Sequence, residues 1–121
     1  MAVGYQALFN NSTGDGNGAI GYQAALANTT GQFNYAFGNS ALAANQTGSN
    51  NTAIGSQALS KTTVSNNTGI GYAALYNDTT STQNTALGFS AGYSVTTAGS
   101  SAGSVYVGYR AGYSSTGTDN T

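Results

Sequence analysis

Apolar, small and polar positions return along this chain in a fixed order around a glycine. In the copy Asn51-Thr52-Ala53-Ile54-Gly55-Ser56-Gln57-Ala58-Leu59 an apolar residue precedes the glycine and an alanine follows it three positions on. The glycine recurs at Gly4, Gly21, Gly38, Gly55, Gly71, Gly88 and Gly108, with spacings of 17, 17, 17, 16, 17 and 20 residues. The residue before it is Val3, Ile20, Phe37, Ile54, Ile70, Leu87 or Val107, and the alanine is Ala7, Ala24, Ala41, Ala58, Ala74, Ala91 or Ala111. One position further stand Leu8, Ala25, Leu42, Leu59 and Leu75, then Gly92 and Gly112. A constant period of this length marks a repeat architecture, in which each unit buries its apolar face against its neighbours.

The centre of each unit predicts a strand, because β-branched and aromatic residues cluster there between Gly, Asn and Thr. Alternation over Asn51 to Leu59 places Ile54 and Ala58 on one face, and Ala53, Gly55, Gln57 and Leu59 on the other. The first face is expected to fill the coil. The second, made of small residues, is expected to admit another chain at close range. The turn-rich remainder, such as Ala27-Asn28-Thr29-Thr30-Gly31-Gln32-Phe33, leaves room for a short return strand and two turns.

Two polar ladders accompany the glycines. Asn17, Asn34, Asn51, Asn67 and Asn84 each lie four residues before one, and are expected to pair their amides from coil to coil. Thr13, Thr30, Thr47, Thr63, Thr80 and Thr97 follow one another at 17, 17, 16, 17 and 17 residues, and a one-residue deletion falls between Thr47 and Thr63. Gly14, Gly31 and Gly48 follow the first three threonines and suit turns of positive φ. From Thr96 to Ser104 an insertion lengthens one unit, which divides regular coils over 1–95 from irregular closing coils over 96–121.

One strong strand per unit of 16–20 residues predicts an all-β fold, a parallel β-solenoid of about seven coils in a single unit over 1–121. At about 4.8 Å per coil the stack stands roughly 33 Å tall. A hexapeptide β-helix is excluded because each coil lacks its second and third apolar anchors, as Ser60 and Ser65-Asn66 illustrate. A calcium-binding β-roll needs repeated aspartates, and the chain has three acids in all. A two-sided roll remains. It is thin, its second apolar face needs a partner, and cyclic self-association about the long axis supplies one. The absence of a polar cap at the first coil points to a segment of a longer fibre.

Composition narrows function by exclusion. Charged residues make up 4% of the chain, net charge is -1, and there is no His, Cys, Pro or Trp. Nucleophilic, acid–base and metal chemistry lack their parts, so no enzyme activity, cofactor or metal is expected. Without a basic patch, nucleic acid is not an expected partner. No apolar run is long enough to insert in a membrane, and no targeting segment is expected ahead of the first repeat. Asn-x-Ser/Thr triplets occur at Asn10, Asn11, Asn28, Asn45, Asn50, Asn66 and Asn77, as chance products of an Asn/Thr-rich repeat. Were sugars attached, Asn28 and Asn45 in the turns would be the expected carriers. The Thr ladder lacks the Thr-x-Thr pairing of an ice-binding strand, and turn hydroxyls bonding their neighbours are expected. Most tyrosines are read as packing between coils. Tyr93, Tyr106 and Tyr113 are placed outside the repeat register and at the surface, where a glycan would meet them. Arg110 is read as a solvated edge residue, and Asp15 and Asp78 as turn residues.

The units Asn17-Gly18-Ala19-Ile20-Gly21-Tyr22-Gln23-Ala24 and Asn51 to Leu59 resemble the head repeats of trimeric autotransporter adhesins. That resemblance implies a left-handed parallel β-roll and a homotrimer wound about one axis. The longer period, with its Asn28 to Gly31 linker, resembles repeats of phage tail fibres and related bacterial surface proteins still more. Val107-Gly108-Tyr109-Arg110-Ala111-Gly112-Tyr113 resembles the closing repeats of such arrays. These likenesses imply an extracellular structural or adhesive fibre segment, on a cell surface or a virion, with itself as first partner and a surface glycan or protein receptor as second. The rival reading is a monomeric module whose ladder faces bind ice or glycan.

Overall fold

The computed structural model describes residues 1–95 and 103–115. These residues contain seven strands: β1 (Ala2–Val3), β2 (Gly18–Ile20), β3 (Tyr35–Phe37), β4 (Thr52–Ile54), β5 (Thr68–Ile70), β6 (Thr85–Leu87) and β7 (Val105–Val107). They form one parallel sheet in chain order. Each strand pairs with the equivalent residues of the next unit, as in Tyr35 with Thr52, Ala36 with Ala53 and Phe37 with Ile54. The chain is therefore an all-β parallel solenoid, and no helix is present among the described residues. Part of the insertion, with Thr97, lies outside the described residues. The sheet carries across it in register, Leu87 pairing with Val107.

The strands are shorter than the sequence predicts, and each ends at the repeat glycine. Gly21, Gly38, Gly55 and their equivalents have φ between 122° and 147°, a region closed to most side chains. A Cβ on Gly55 would also lie 2.5 Å from the carbonyl oxygen of Gly71 in the next coil. Glycine is needed twice over, for the bend and for the coil spacing.

Beyond the glycine the chain does not continue as a strand. Overlapping turns close through Ala24 N–H to the Gly21 carbonyl, Leu26 N–H to Gln23 and Asn28 N–H to Ala25. Gln23 and Ala25 have φ of 54° and 50°, and the equivalent Gln57 and Leu59 have 61° and 51°. Left-handed φ at the third position of each of the first two turns is the type II pattern. Holding non-glycine residues there costs about 1–2 kcal/mol each. It is offset because alternating φ signs keep the peptide groups along the rod axis while the chain turns a sharp corner. Gln57 N–H reaches the Asn39 carbonyl one coil back at 2.8 Å, and Leu59 N–H reaches the Ala74 carbonyl one coil on at 2.9 Å. The expected return strand is thus replaced, among the described residues, by turns whose backbone still bonds from coil to coil.

The core lies inside this narrow loop and consists chiefly of Ala19, Ala36, Ala53 and Ala86 from the strands, with Ala24, Ala41, Ala58, Leu42, Leu59 and Leu75 from the corner. The face assignment predicted from alternation is corrected here. Ala53 points inward and is wholly buried, whereas Ile54 points outward and is 39% exposed. The two walls approach too closely for a larger side chain between them. Ala58 and Leu59, adjacent in sequence, are both buried because alternation ends at Gly55.

The last coils solve the same packing problem differently. Tyr106 occupies the inner alanine position, pairs in register with Ala86 and is 3% exposed. Gly92 and Gly112, standing where the other coils have leucine or, once, Ala25, make the room. A Cβ on Gly92 would lie 3.0 Å from Tyr106 Cδ2, and one on Gly112 would run into the ring. Tyr106 is therefore in register and in the core, contrary to the expectation that it sits at the surface.

Candidate assembly surface

The sheet turns a row of apolar side chains to solvent. Val3, Ile20, Ile54, Leu87 and Val107 are between 39% and 63% exposed, and Phe37 and Ile70 of the same column are half-buried. Because each strand pairs directly with the next, these residues form one straight column parallel to the rod axis. From β1 to β7 it runs over six coil steps, about 29 Å. Apolar area of this extent in a continuous line marks an interaction surface.

Aromatic columns flank it at the corner. Immediately after the glycine, Tyr5 stacks on Tyr22 with ring centroids 5.5 Å apart, and Tyr72, Phe89 and Tyr109 stack at 5.0 and 5.5 Å. Four positions further on, Tyr76, Tyr93 and Tyr113 stack at 5.1 and 4.9 Å. Tyr93 and Tyr113 are thus members of a repeat column, not residues outside the register. Desolvation, then the neighbouring phenols of Tyr113, Tyr76 and Tyr72, push the Tyr93 hydroxyl above its usual range. Both cations of the chain sit on the outer column: the Lys61 ammonium lies 5.0 Å from the Tyr76 ring and the Arg110 guanidinium 4.0 Å from that of Tyr113. Arg110 is exposed, as an edge residue would be, and also stacked.

Asn17, Asn34, Asn51, Asn67 and Asn84 lie inside the roll at the entry to each strand. Their rungs differ from the expected amide-to-amide pairs. The backbone N–H of Asn34 donates to Asn17 Oδ1 at 2.9 Å, and those of Asn51, Asn67 and Asn84 repeat this at 3.1, 2.9 and 2.9 Å. At this position the N–H points back toward the preceding coil, and a side-chain carbonyl meets it there. The amide nitrogen is used across the roll: Asn17 Nδ2 donates to the Gly31 carbonyl at 2.7 Å and Asn34 Nδ2 to that of Gly48 at 2.8 Å.

A second asparagine ladder was missed by the sequence reading. Asn11, Asn28 and Asn45 stand seven residues after the glycine, at a spacing of 17, which was its visible signal. Here the amides do pair directly, Asn28 Nδ2 to Asn11 Oδ1 at 2.7 Å and Asn45 Nδ2 to Asn28 Oδ1 at 3.0 Å. Gly14, Gly31 and Gly48 lack positive φ, contrary to expectation. They are glycine because a Cβ on Gly31 would meet Asn28 Oδ1 at 2.5 Å, and one on Gly48 would clash with Asn45 Oδ1. Full burial also removes Asn28 and Asn45 from the positions where sugars could be attached.

This ladder breaks at Thr62, in the coil carrying the one-residue deletion, and leaves Asn45 Oδ1 and Thr62 Oγ1 buried without a hydrogen-bond partner. Asp78 follows at the same position. Its Oδ1 accepts the Ser81 N–H and its Oδ2 the Asn84 amide, both at 2.9 Å, so its turn role is combined with complete burial. Desolvation raises its carboxyl above the usual carboxylate range, against the lowering effect of the hydrogen bonds from Ser81, Asn84 and Thr80.

Thr13, Thr30, Thr47, Thr63 and Thr80 form an exposed single file on the turns. Coil-to-coil hydroxyl bonds come from the position before them, with Ser12 Oγ donating to the Thr29 carbonyl at 2.9 Å and Thr29 Oγ1 to that of Gln46 at 3.0 Å. Among the described residues no group of three or more His, Cys, Asp or Glu could hold a metal ion, and no helix is long and apolar enough to cross a membrane. No family model, curated protein or solved structure matches the chain.

Proposed function

We propose that this chain is a structural and adhesive segment of a homotrimeric fibre, extracellular and carried on a cell surface or a virion. The observation supporting the reading is the outward apolar column Val3, Ile20, Phe37, Ile54, Ile70, Leu87 and Val107, exposed in all but the half-buried Phe37 and Ile70. A partner that covers every member must present apolar groups at the same coil spacing, and a second copy of this chain does so at every step. Cyclic symmetry about an axis parallel to the rod brings each column against its own equivalents and closes the assembly. Three copies, and a left-handed coil, follow from the resemblance to trimeric autotransporter adhesin heads and tail-fibre repeats.

The seam in this proposal is the isoleucine column, not the Ala53 and Gly55 face expected from the sequence. Its mechanism is mechanical: coils bonded along the axis make a stiff rod, and the seam fixes three rods together. Sedimentation equilibrium tests it. A mass of three chains at micromolar concentration is the expected result. A monomer at all concentrations would overturn the proposal and favour a monomeric ladder-faced binding module.

A further inference from the structure

The aromatic column that follows the glycine is interrupted once, and the neighbouring column has no aromatic residue in the same two coils. Immediately after the glycine, Tyr22 is followed by Asn39 and Ser56 before the column resumes at Tyr72. In the neighbouring column Leu26 stands beside Tyr22, and Ala43 and Ser60 occupy the same two coils before Tyr76. Tyr22 and Tyr72 are thus three coil steps apart, about 14 Å. Subtracting one van der Waals separation of about 3.5 Å leaves a notch of about 11 Å between their ring faces.

Its chemistry is specific. The end walls are phenol faces, with Tyr22 and Tyr72 each close to half exposed. The floor carries the Asn39 amide, which accepts from Ser40 Oγ at 2.9 Å, and the hydroxyls of Ser56 and Ser60. At the Tyr76 side stands the exposed ammonium of Lys61, which has no ion pair among the described residues. A regular column from a second copy would not fill an interruption of this kind. Flat aromatic faces, neutral hydrogen-bonding groups and one cation match a sugar ring stacked by its C–H face and bearing a carboxylate.

We propose that this notch binds a short acidic saccharide, stacked against Tyr72 with its carboxylate on Lys61. Both walls come from one chain, so the proposal does not depend on the homotrimer. The test is titration calorimetry with a disaccharide containing one glucuronic acid, and with its uncharged glucose counterpart. The wild-type chain is expected to bind the acidic sugar about fivefold more tightly, as an exposed ion pair allows. Lys61→Gln should abolish that difference, and Tyr72→Ala should weaken both sugars. Asn39→Tyr combined with Ser56→Tyr should complete the aromatic column, keep the thermal unfolding midpoint and eliminate binding. No binding by the wild type, equal affinity for the two sugars, or binding that survives Tyr72→Ala or the filled notch would overturn the proposal. Sedimentation of the same samples separates the two readings. A trimer that binds no sugar contradicts this one alone, and a monomer that binds contradicts only the assembly.

Discussion

The inner column of alanines and the outer column of isoleucine, phenylalanine and leucine lie one residue apart along every strand, yet Ala53 is wholly buried while Ile54 is 39% exposed. In an ordinary sheet the larger apolar side chain would be the buried one. Here the roll is closed by a corner so tight that its walls nearly touch, and only a methyl fits between strand and corner. The last coils support this explanation, since Tyr106 enters the interior only where Gly92 and Gly112 have removed the opposing leucine. Size therefore sorts residues by wall separation, and the large side chains are left for a surface outside the coil.

The contrast can be broken most severely from the inside. Ala53→Leu adds three carbon atoms where Ala36, Gly69 and the corner leave no room, and overpacking of this kind should cost about 3 kcal/mol or more. Urea unfolding of the isolated chain reads it directly. Ile54→Asn makes a comparable change in chemistry on the other side of the same strand. It should alter the stability of a single chain by less than about 1 kcal/mol. In the proposed trimer its effect falls on assembly, read as loss of that species on sedimentation at concentrations where the wild type is expected to form it.

A smaller effect sharpens the role of the buried polar ladder. The Asp78 carboxyl titrates above its usual range in the fold because burial disfavours the charge. Its contribution to stability is then fully present below the unfolded carboxyl value of about 4, and is lost as pH rises through the folded value. Asp78→Asn removes the charge and keeps one of the two oxygen acceptors that serve Ser81 and Asn84, the other being replaced by an amide donor. It should remove this pH dependence, while at neutral pH the relief of the buried charge and the loss of one hydrogen bond oppose each other and leave a net change of about 1 kcal/mol or less. Thermal unfolding across pH 3 to about 7 measures it, and a variant with the wild-type slope would contradict the assignment.

The repeat itself was legible because its glycines recur at a nearly fixed spacing, and from that the parallel stack of coils followed. The faces were not. Alternation holds only from Thr52 to Ile54, and the reading carried it through Gly55 into Ala58 and Leu59, where left-handed φ turns the chain. Nothing in residue type marks Gln57 or Leu59 as left-handed, because the strain is supported by bonds to neighbouring coils. The Asn11, Asn28 and Asn45 ladder was visible as a spacing, but its burial was hidden by the habit of placing asparagine in exposed turns. Tyr106 was misplaced because its room depends on Gly92 and Gly112, which come from two different coils.

The chain contains no cysteine, so a single thiol can report on either column without background. Ala53→Cys and Ile54→Cys, labelled with a maleimide at increasing protein concentration, test the inside-outside assignment and the seam together. The thiol at position 53 should be protected at every concentration, and that at position 54 should react freely in dilute solution and become protected as chains associate. A reactive thiol at position 53 beside a permanently protected one at position 54 would contradict the account.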